Sequence, residues 1–302
     1  MHKVTGTTLK LRFGDDFSLY SGNTVDVRFV LNRMPFRRMH QALARHFCPA
    51  RILFPEIEHV KTMPAIQEDI VPFNRCIGEN PEQLACVISI LQQPPGSPPF
   101  VIFGPPGTGK TVTIVEAIEQ LLLRNPDAHI LACAPSNSAA DIIATKLMNL
   151  GIMNGLLRLN ATSRDYAKLP HALRDFSVIN DNKVFAIPVL ENLLKYQVIV
   201  ATCISGGIPY GLGVKPGHFS HIFIDEAGQA SEPEVMIPVK TMWSPSTNIV
   251  LAGDIKQLGP IIRSQLAADL GLRHSYLARI MAREVYNLEA WRGQTYVQAT
   301  II

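Results

Sequence analysis

The sequence of 302 residues contains little cysteine and no long apolar run. Its five cysteines are scattered and include no Cys-x-x-Cys pair, which argues against a disulfide framework and against a zinc site. No segment approaches the roughly 18 consecutive apolar residues of a membrane span, and no apolar stretch of a signal peptide opens the sequence. We therefore expect a soluble, intracellular chain with neither a membrane partner nor a disulfide partner.

Charged residues make up only 18% of the chain, whereas hydrophobic residues make up 47%. This balance excludes a disordered chain and allows a substantial core, and the length suits one large domain or two of ordinary size. The net charge of +3 is unevenly spread, because residues 1–77 carry 11 Lys/Arg against 7 Asp/Glu, or +4. A balance of this size permits nucleic acid as a partner without arguing for it.

A glycine-rich segment lies between an apolar strand, Phe100–Phe103, and a helical run, Val112–Leu123. It reads Gly-Pro-Pro-Gly-Thr-Gly-Lys-Thr, the spacing of a phosphate-binding loop in the strand-to-helix context that such a loop requires. Glycines let backbone N–H groups close around phosphates, and the start of the helix adds partial positive charge. Lys110 can reach the β- and γ-phosphates, and the hydroxyl of Thr111 can ligate Mg²⁺. The sequence therefore predicts a site for ATP and Mg²⁺, with nucleotide contacts from Gly104, Gly107, Thr108, Gly109, Lys110 and Thr111.

Short apolar strands alternate with helical stretches beyond this loop. We predict a helix at Ser138–Leu150 and strands at His129–Ala134, Gly155–Leu159, Gln197–Ala201, Ser220–Ile224 and Asn248–Ala252. Apolar strands joined by helices are typical of an α/β protein with a parallel sheet covered on both faces. Ligands bind beyond the carboxyl ends of the strands in such a sheet, so the residues that follow each strand are the candidates for chemistry.

Carboxylates and an amide follow two of these strands. Asp225 can hold Mg²⁺ opposite Thr111, while the neighbouring Glu226 can orient and deprotonate an attacking water. In the next such loop, Gln257 has the donor and acceptor geometry to sense a γ-phosphate or that water, and Asp254 can support the metal. The predicted catalytic residues are therefore Lys110, Asp225, Glu226 and Gln257, and the predicted metal residues are Thr111 and Asp225.

Two further groups of polar residues occupy helix starts or strand ends. Gln83, on the first turn of a helix that Asn80 and Pro81 open, can read adenine through its amide. Short polar side chains at a helix start can also hold an anion, here a nucleic-acid phosphate. On this basis we predict RNA contacts from Pro135, Ser136, Asn137, Ser138 and Thr202. Simple N-capping is the alternative that the sequence leaves open for these residues.

The remaining segments divide the chain into three predicted parts. Residues 1–77 are expected to form an accessory segment, with strands at Leu9–Phe13 and Val25–Val30 and a helix from Pro35 to about Phe47. The arginines of that helix suit either an RNA backbone or a solvated face, and the prolines of residues 49–80 suggest an extended connector. The ATP-binding domain is predicted at residues 78–286, and residues 287–302 match no pattern.

These motifs together resemble a superfamily 1 RNA helicase of the Upf-like group, and most closely its Armitage/Mov-type branch. The segments that carry the resemblance are Asn80–Gln83, Gly104–Thr111, Ala134–Asp141, His221–Glu234 and Leu251–Pro260, with Arg28–Arg33 upstream. The resemblance implies a RecA-like domain of the P-loop NTPase class and ATP-driven translocation on single-stranded RNA. It also implies a cytoplasmic place in RNA granules or P-bodies, among proteins of RNA-mediated gene silencing.

The sequence departs from that family's pattern in two places. Ile255 stands where a proline is usual, which bears on the stiffness of the loop that holds Gln257. The resemblance ends near Tyr286, so we expect these residues to lack the second RecA-like domain and its arginines, and the chain alone to be weakly active. Two other functions stay open, namely an interaction protein that binds ATP and RNA without turnover, and a fragment of a DNA helicase.

Overall fold

The computed structural model describes residues 3–5, 8–10, 28, 31–44, 49–61, 70–152, 155–287 and 299–302. Contacts divide the chain into two compact units, Met1–Arg33 and Met34–Ile302. In the first unit, strand β1 (Lys3–Thr5) pairs antiparallel with β2 (Thr8–Lys10), which overlaps the strand predicted at Leu9–Phe13. The strand predicted at Val25–Val30 lies outside the described residues except for Arg28, which belongs to no strand.

The second unit is built on a parallel sheet with the strand order β5-β6-β4-β7-β8-β3-β9. The strands of this sheet are β3 Phe100–Phe103, β4 Ile130–Ala134, β5 Leu156–Leu159, β6 Val198–Thr202, β7 His221–Ile224, β8 Asn248–Gly253 and β9 Ala299–Ile301. The longer helices are α1 Met34–Ala44, α4 Pro81–Gln92, α5 Lys110–Arg124, α6 Asn137–Asn149 and α9 Glu232–Met242. The shorter ones are α2 Ala50–Leu53, α3 Arg75–Gly78, α7 Leu190–Leu193, α8 Ile208–Gly211, α10 Gln265–Ala267 and α11 Tyr276–Met281.

Alternate residues of each central strand enter two separate apolar cores, one on each face of the sheet. In β4, Leu131 and Cys133 belong to one core, whereas Ile130 and Ala132 belong to the other. Because both faces are covered, the strands carry apolar side chains at nearly every position rather than at every second one. This arrangement confirms the predicted α/β class and the parallel sheet with helices on both faces.

Residues 34–44 and 49–61 belong to the same compact unit as the sheet and contact it directly. Helix α1 lies against α9, and the hydroxyl of Tyr276 donates a 2.6 Å hydrogen bond to the carbonyl of Ile52. The guanidinium of Arg51 donates to the carbonyls of Ser97 and Thr247 and lies over the ring of Trp243. Residues 49–61 of the predicted extended connector are thus fixed by contacts with distant residues, which their own sequence pattern does not reveal.

Part of the C-terminal tail joins the sheet, although the sequence of the tail matches no pattern. Strand β9 pairs in parallel with β3, and the N–H of Ile302 donates a 2.9 Å hydrogen bond to the carbonyl of Phe103. A strand of three residues is too short for its alternation to be recognised, and the free edge of β3 supplies the partner that decides its conformation.

No helix among the described residues is long and apolar enough to cross a membrane.

Candidate functional site

The phosphate-loop motif folds as the sequence predicts, between β3 and α5. Gly107 and Gly109 adopt φ angles of +82° and +92°, which side chains with a Cβ rarely reach, and α5 begins at the next residue, Lys110. The lysine is nearly buried, at 5% exposure, and its Nζ donates to the carbonyls of Gly104 and Pro105 at 2.8 and 2.9 Å. The ammonium group of Lys110 therefore lies inside the loop, against the backbone that would surround a bound phosphate.

A hydrogen bond joins the first turn of α5 to the end of β7. The hydroxyl of Thr111 donates to Oδ2 of Asp225 over 2.7 Å, and Asp225 is 2% exposed. Burial raises the pKa of the Asp225 carboxyl to about 6, opposed in part by this bond from Thr111. A hydroxyl and a carboxylate are the hard oxygen ligands that Mg²⁺ prefers, so the two side chains fit the metal predicted there.

Glu226 sits in a strained backbone conformation beside this pair. Its φ of +51° lies in the left-handed region although the residue is not glycine. The N–H of Glu226 donates to Oδ1 of Asp225 at 2.9 Å. The side-chain Oε2 of Glu226 accepts from Nε2 of Gln229 at 3.0 Å. Strain of this kind costs on the order of 1–3 kcal/mol and clusters at active sites, which favours a functional role for the turn.

The loop after β7 packs closely against the loop after β8. The N–H of Ala227 donates to the carbonyl of Ala252 at 2.8 Å, and a Cβ added at Gly228 would lie only 2.7 Å from the carbonyl oxygen of Asp254. The carboxylate of Asp254 accepts from the Nε2 of Gln257 at 3.1 Å. Gln257 is thus held by a nearly buried carboxylate next to the loop that carries Asp225 and Glu226.

Gln83 lies directly against the phosphate loop. It is 7% exposed, and its Nε2 donates to the carbonyl of Thr108 at 2.7 Å. The side chain of Asn80 accepts from the backbone N–H of Gln83 at 3.0 Å, which confirms the predicted helix cap. The hydroxyl of Thr108 donates a hydrogen bond to the carbonyl of Pro105 at 2.9 Å. The structure thus brings Gln83 to the nucleotide loop, while its contact with adenine stays a prediction.

The predicted RNA residues lie at or just beyond the ends of two neighbouring strands, β4 and β6. Pro135, Ser136, Asn137 and Ser138 follow β4, and Thr202 ends β6. Ser136 caps α6 by accepting from the N–H of Ala139 at 3.1 Å, and Thr202 accepts from the N–H of Ser205 at 3.2 Å. The capping alternative is therefore present at Ser136, whereas Thr202 bonds the N–H of Ser205 without being the N-cap of a helix, and Asn137 uses its side chain differently.

The oxygen of Asn137 accepts a 3.0 Å hydrogen bond from Nη2 of Arg158, a residue that the sequence analysis did not place in any site. Arg158 lies within β5 and is fully buried, and its Nε donates to Oδ1 of Asp141 at 2.9 Å. Burial lowers the pKa of its guanidinium to about 10. A charged residue inside the apolar run Leu156–Leu159 is the sequence signal that could have drawn attention to it.

The strand order explains how the predicted residues fall into two groups. Strands β7, β8 and β3 are neighbours, so the loops after them bring together the nucleotide and metal residues. Strands β6 and β4 lie on the far side of β7, so the predicted RNA residues form a second group along the same edge. Within the described residues, no cluster of three or more His, Cys, Asp or Glu side chains offers a further metal site.

A family model described as an AAA domain matches residues 79–183 and 189–265, most of the predicted ATP-binding domain. The chain belongs to this family. Its relatives include the human RNA helicase Mov10l1, which is 43% identical over 71% of this chain and 17% of its own length. The Danio rerio protein mov-10-B.1 is 41% identical over 95% of this chain and 29% of its own length. "Probable RNA helicase armi" of Drosophila melanogaster is 29% identical, over 97% of this chain and 27% of its own length.

These similarities confirm the resemblance to Upf-like superfamily 1 helicases of the Armitage/Mov-type branch, and with it the RecA-like fold. The chain spans less than a third of the length of each of these three relatives. What the relatives do as whole proteins therefore bears on this chain only as a proposal.

Proposed function

We propose that this AAA-family chain is the ATP-binding motor domain of an ATP-dependent RNA helicase, which hydrolyses ATP and binds single-stranded RNA. The observation that carries the proposal is the 2.7 Å hydrogen bond between Thr111 and Asp225. It brings the hydroxyl of a phosphate loop and a buried carboxylate into contact across 114 residues of sequence, in the arrangement that holds Mg²⁺ in P-loop NTPases.

Each residue of the nucleotide site has a separate part in this proposal. Lys110 neutralises charge on the β- and γ-phosphates, and the backbone N–H groups of the loop bind the phosphate oxygens. Thr111 and Asp225 would hold Mg²⁺, whose charge stabilises the phosphates during transfer. Glu226 orients and deprotonates the attacking water, and Gln257 senses the γ-phosphate.

RNA is proposed to bind along the adjacent strand ends, through the turn after β4 and through Thr202. Contacts there would be to the backbone, because helix starts and short hydroxyl or amide side chains suit phosphate oxygens better than base edges. The names of two relatives as RNA helicases support RNA as the ligand. By the same relatedness we propose a cytoplasmic role in RNA silencing, with RNA-granule proteins as partners.

The nucleotide part of the proposal is tested by titrating the chain with a fluorescent ATP analogue and Mg²⁺. Lys110→Ala should abolish binding, whereas Glu226→Gln should leave it intact because Glu226 acts on the water. Lys195→Ala removes an exposed lysine whose Nζ donates to Oδ1 of Asn192 at 3.0 Å, and serves as the control for charge. Equal binding by Lys110→Ala and by the unmodified chain would overturn the assignment.

A further inference from the structure

Arg158 is the largest of the fully buried side chains among the described residues, and it lies on β5 opposite Val200 of β6. All three of its nitrogens are used. Nε donates to Asp141 at 2.9 Å, Nη1 to the carbonyl of Leu159 at 2.9 Å, and Nη2 to the side-chain oxygen of Asn137 at 3.0 Å. A strand residue inside the protein is thereby tied to the first turn of α6, beside the proposed RNA site.

The cluster around Arg158 carries more positive than negative charge. Arg164 also pairs with Asp141, with Nη1 on Oδ1 at 2.9 Å and Nη2 on Oδ2 at 2.5 Å. Two guanidinium groups therefore share one carboxylate, and one positive charge is left over at the start of a 13-residue helix. The helix N-terminus adds partial positive charge of its own. Both effects favour an anion beyond Asn137.

The bond from Arg158 also decides which way the amide of Asn137 faces. A guanidinium only donates hydrogen bonds, so the atom of Asn137 turned toward it must be the oxygen. The Nδ2 group, with its two donors, is then turned away from Arg158, and Asn137 is exposed. Among the described contacts no hydrogen bond is formed by Nδ2.

We infer that Arg158 is a positioning residue for RNA: it fixes the side-chain amide of Asn137 so that the Nδ2 donors face a backbone phosphate. This inference rests on the proposed function, because it assigns the orientation of a residue in the same RNA site. Arg158 itself does not touch RNA, since it is fully buried. The role of Arg158 goes beyond that of a core ion pair. A lysine at this position could neutralise Asp141 equally well, but it lacks the planar guanidinium that bonds Asp141 and Asn137 at the same time.

The test is a double-mutant cycle on the 302-residue chain, with the affinity for a fluorescent single-stranded oligouridine measured by anisotropy. The variants are Asn137→Ala, Arg158→Lys and the two combined, and thermal unfolding of each is recorded in parallel. Asn137→Ala should weaken binding about tenfold, since it removes a hydrogen bond to a charged group. Arg158→Lys should weaken binding at least about threefold alone and should add nothing to Asn137→Ala, because it acts only through that side chain.

The results separate failure of this inference from failure of the proposed function. Suppose that Asn137→Ala weakens binding, and that Arg158→Lys weakens it by the same factor in the unmodified chain and in the Asn137→Ala variant. Arg158 then does not position Asn137, but the RNA site stands. If Asn137→Ala leaves the affinity unchanged, both the contact and the inference are wrong. A melting temperature lowered by Arg158→Lys with no loss of affinity would assign Arg158 a structural role alone.

A second measurement needs no change at Arg158 and stays decisive if that variant does not fold. The side-chain amide resonances of Asn137 are identified in the unmodified chain by their loss in Asn137→Ala. Because the inference makes Nδ2 the phosphate donor, these resonances should shift when oligouridine is added to saturation. Resonances that do not move at saturation would overturn the inference.

Discussion

Thr111 and Asp225 are joined by a hydrogen bond of 2.7 Å, although they lie 114 residues apart in sequence. The bond is possible because β7 and the strand that leads into the phosphate loop, β3, are both neighbours of β8 in one parallel sheet. Their carboxyl ends therefore share an edge. The contact places the hydroxyl of the phosphate loop against the buried carboxylate.

We predict that Thr111→Val will remove most of the advantage that Mg²⁺ gives to nucleotide binding. Valine keeps the shape of the side chain but lacks the oxygen that would ligate Mg²⁺, so the affinity measured with Mg²⁺ should fall toward the affinity measured without it. Titrations of the fluorescent ATP analogue with and without Mg²⁺ measure the effect. Thr111→Ser retains the hydroxyl and should behave like the unmodified chain; an equal Mg²⁺ dependence in the valine variant would refute the metal assignment.

Binding of single-stranded RNA should be tolerant of sequence and should fall steeply as salt is raised. Both follow from contacts to phosphates, which carry no base information and which release counterions. Asn137→Ala and Thr202→Ala should weaken binding to oligonucleotides of different sequence alike. Anisotropy across a salt series, with matched RNA and DNA oligonucleotides, checks this and tests the DNA-helicase alternative. A strong preference for one RNA sequence, unaffected by either substitution, would contradict the prediction that the contacts are made to the RNA backbone.

The 302-residue chain assayed alone should hydrolyse ATP slowly, with little stimulation by RNA and no strand separation. An arginine that stabilises charge on the transferred phosphoryl group is worth about 10³–10⁵ in rate. Arg158 is fully buried, and Arg283 is engaged by Glu56 at 2.9 Å, so neither is free for that purpose. A steady-state phosphate-release assay with and without RNA measures turnover. RNA-stimulated turnover on the order of 1 s⁻¹ would show that these residues form a complete site.

Acid should destabilise the fold through two histidines. Burial lowers the pKa of His221 to about 4, and burial together with the neighbouring His129 lowers that of His218 to about 4. The unfolded chain, with ordinary pKa values of 6.5, takes up more protons in this range, so the stability present above pH 6.5 is lost as pH falls toward 4. Melting temperatures across this range should fall less in His221→Gln than in the unmodified chain. An unchanged acid dependence in that variant would exclude His221 as a cause.

Several features of this protein followed from the sequence because they are local. The phosphate loop needs a strand, a fixed spacing of glycines and a helix within about a dozen residues, and the structure places α5 directly after Gly109. The ends of strands β3 to β8 agree with the predicted ones to within one residue because each strand is a short apolar run between turns. Asp225 could be proposed from the sequence since it follows β7 directly, and Gln257 since it lies in the loop that follows β8.

Other features were decided only by the tertiary structure, because they depend on pairings between distant segments. No local pattern shows that β7 and β8 are neighbours, that residues 299–301 pair with β3, or that Arg51 fixes residues 49–61 to the sheet unit. The partnership of Arg158 with Asn137 is of the same kind, since it joins a strand to a helix start 21 residues away. The sequence could mark Arg158 as unusual, but only the packing of β5 beside β6 and beneath α6 determined what its buried charge holds in place.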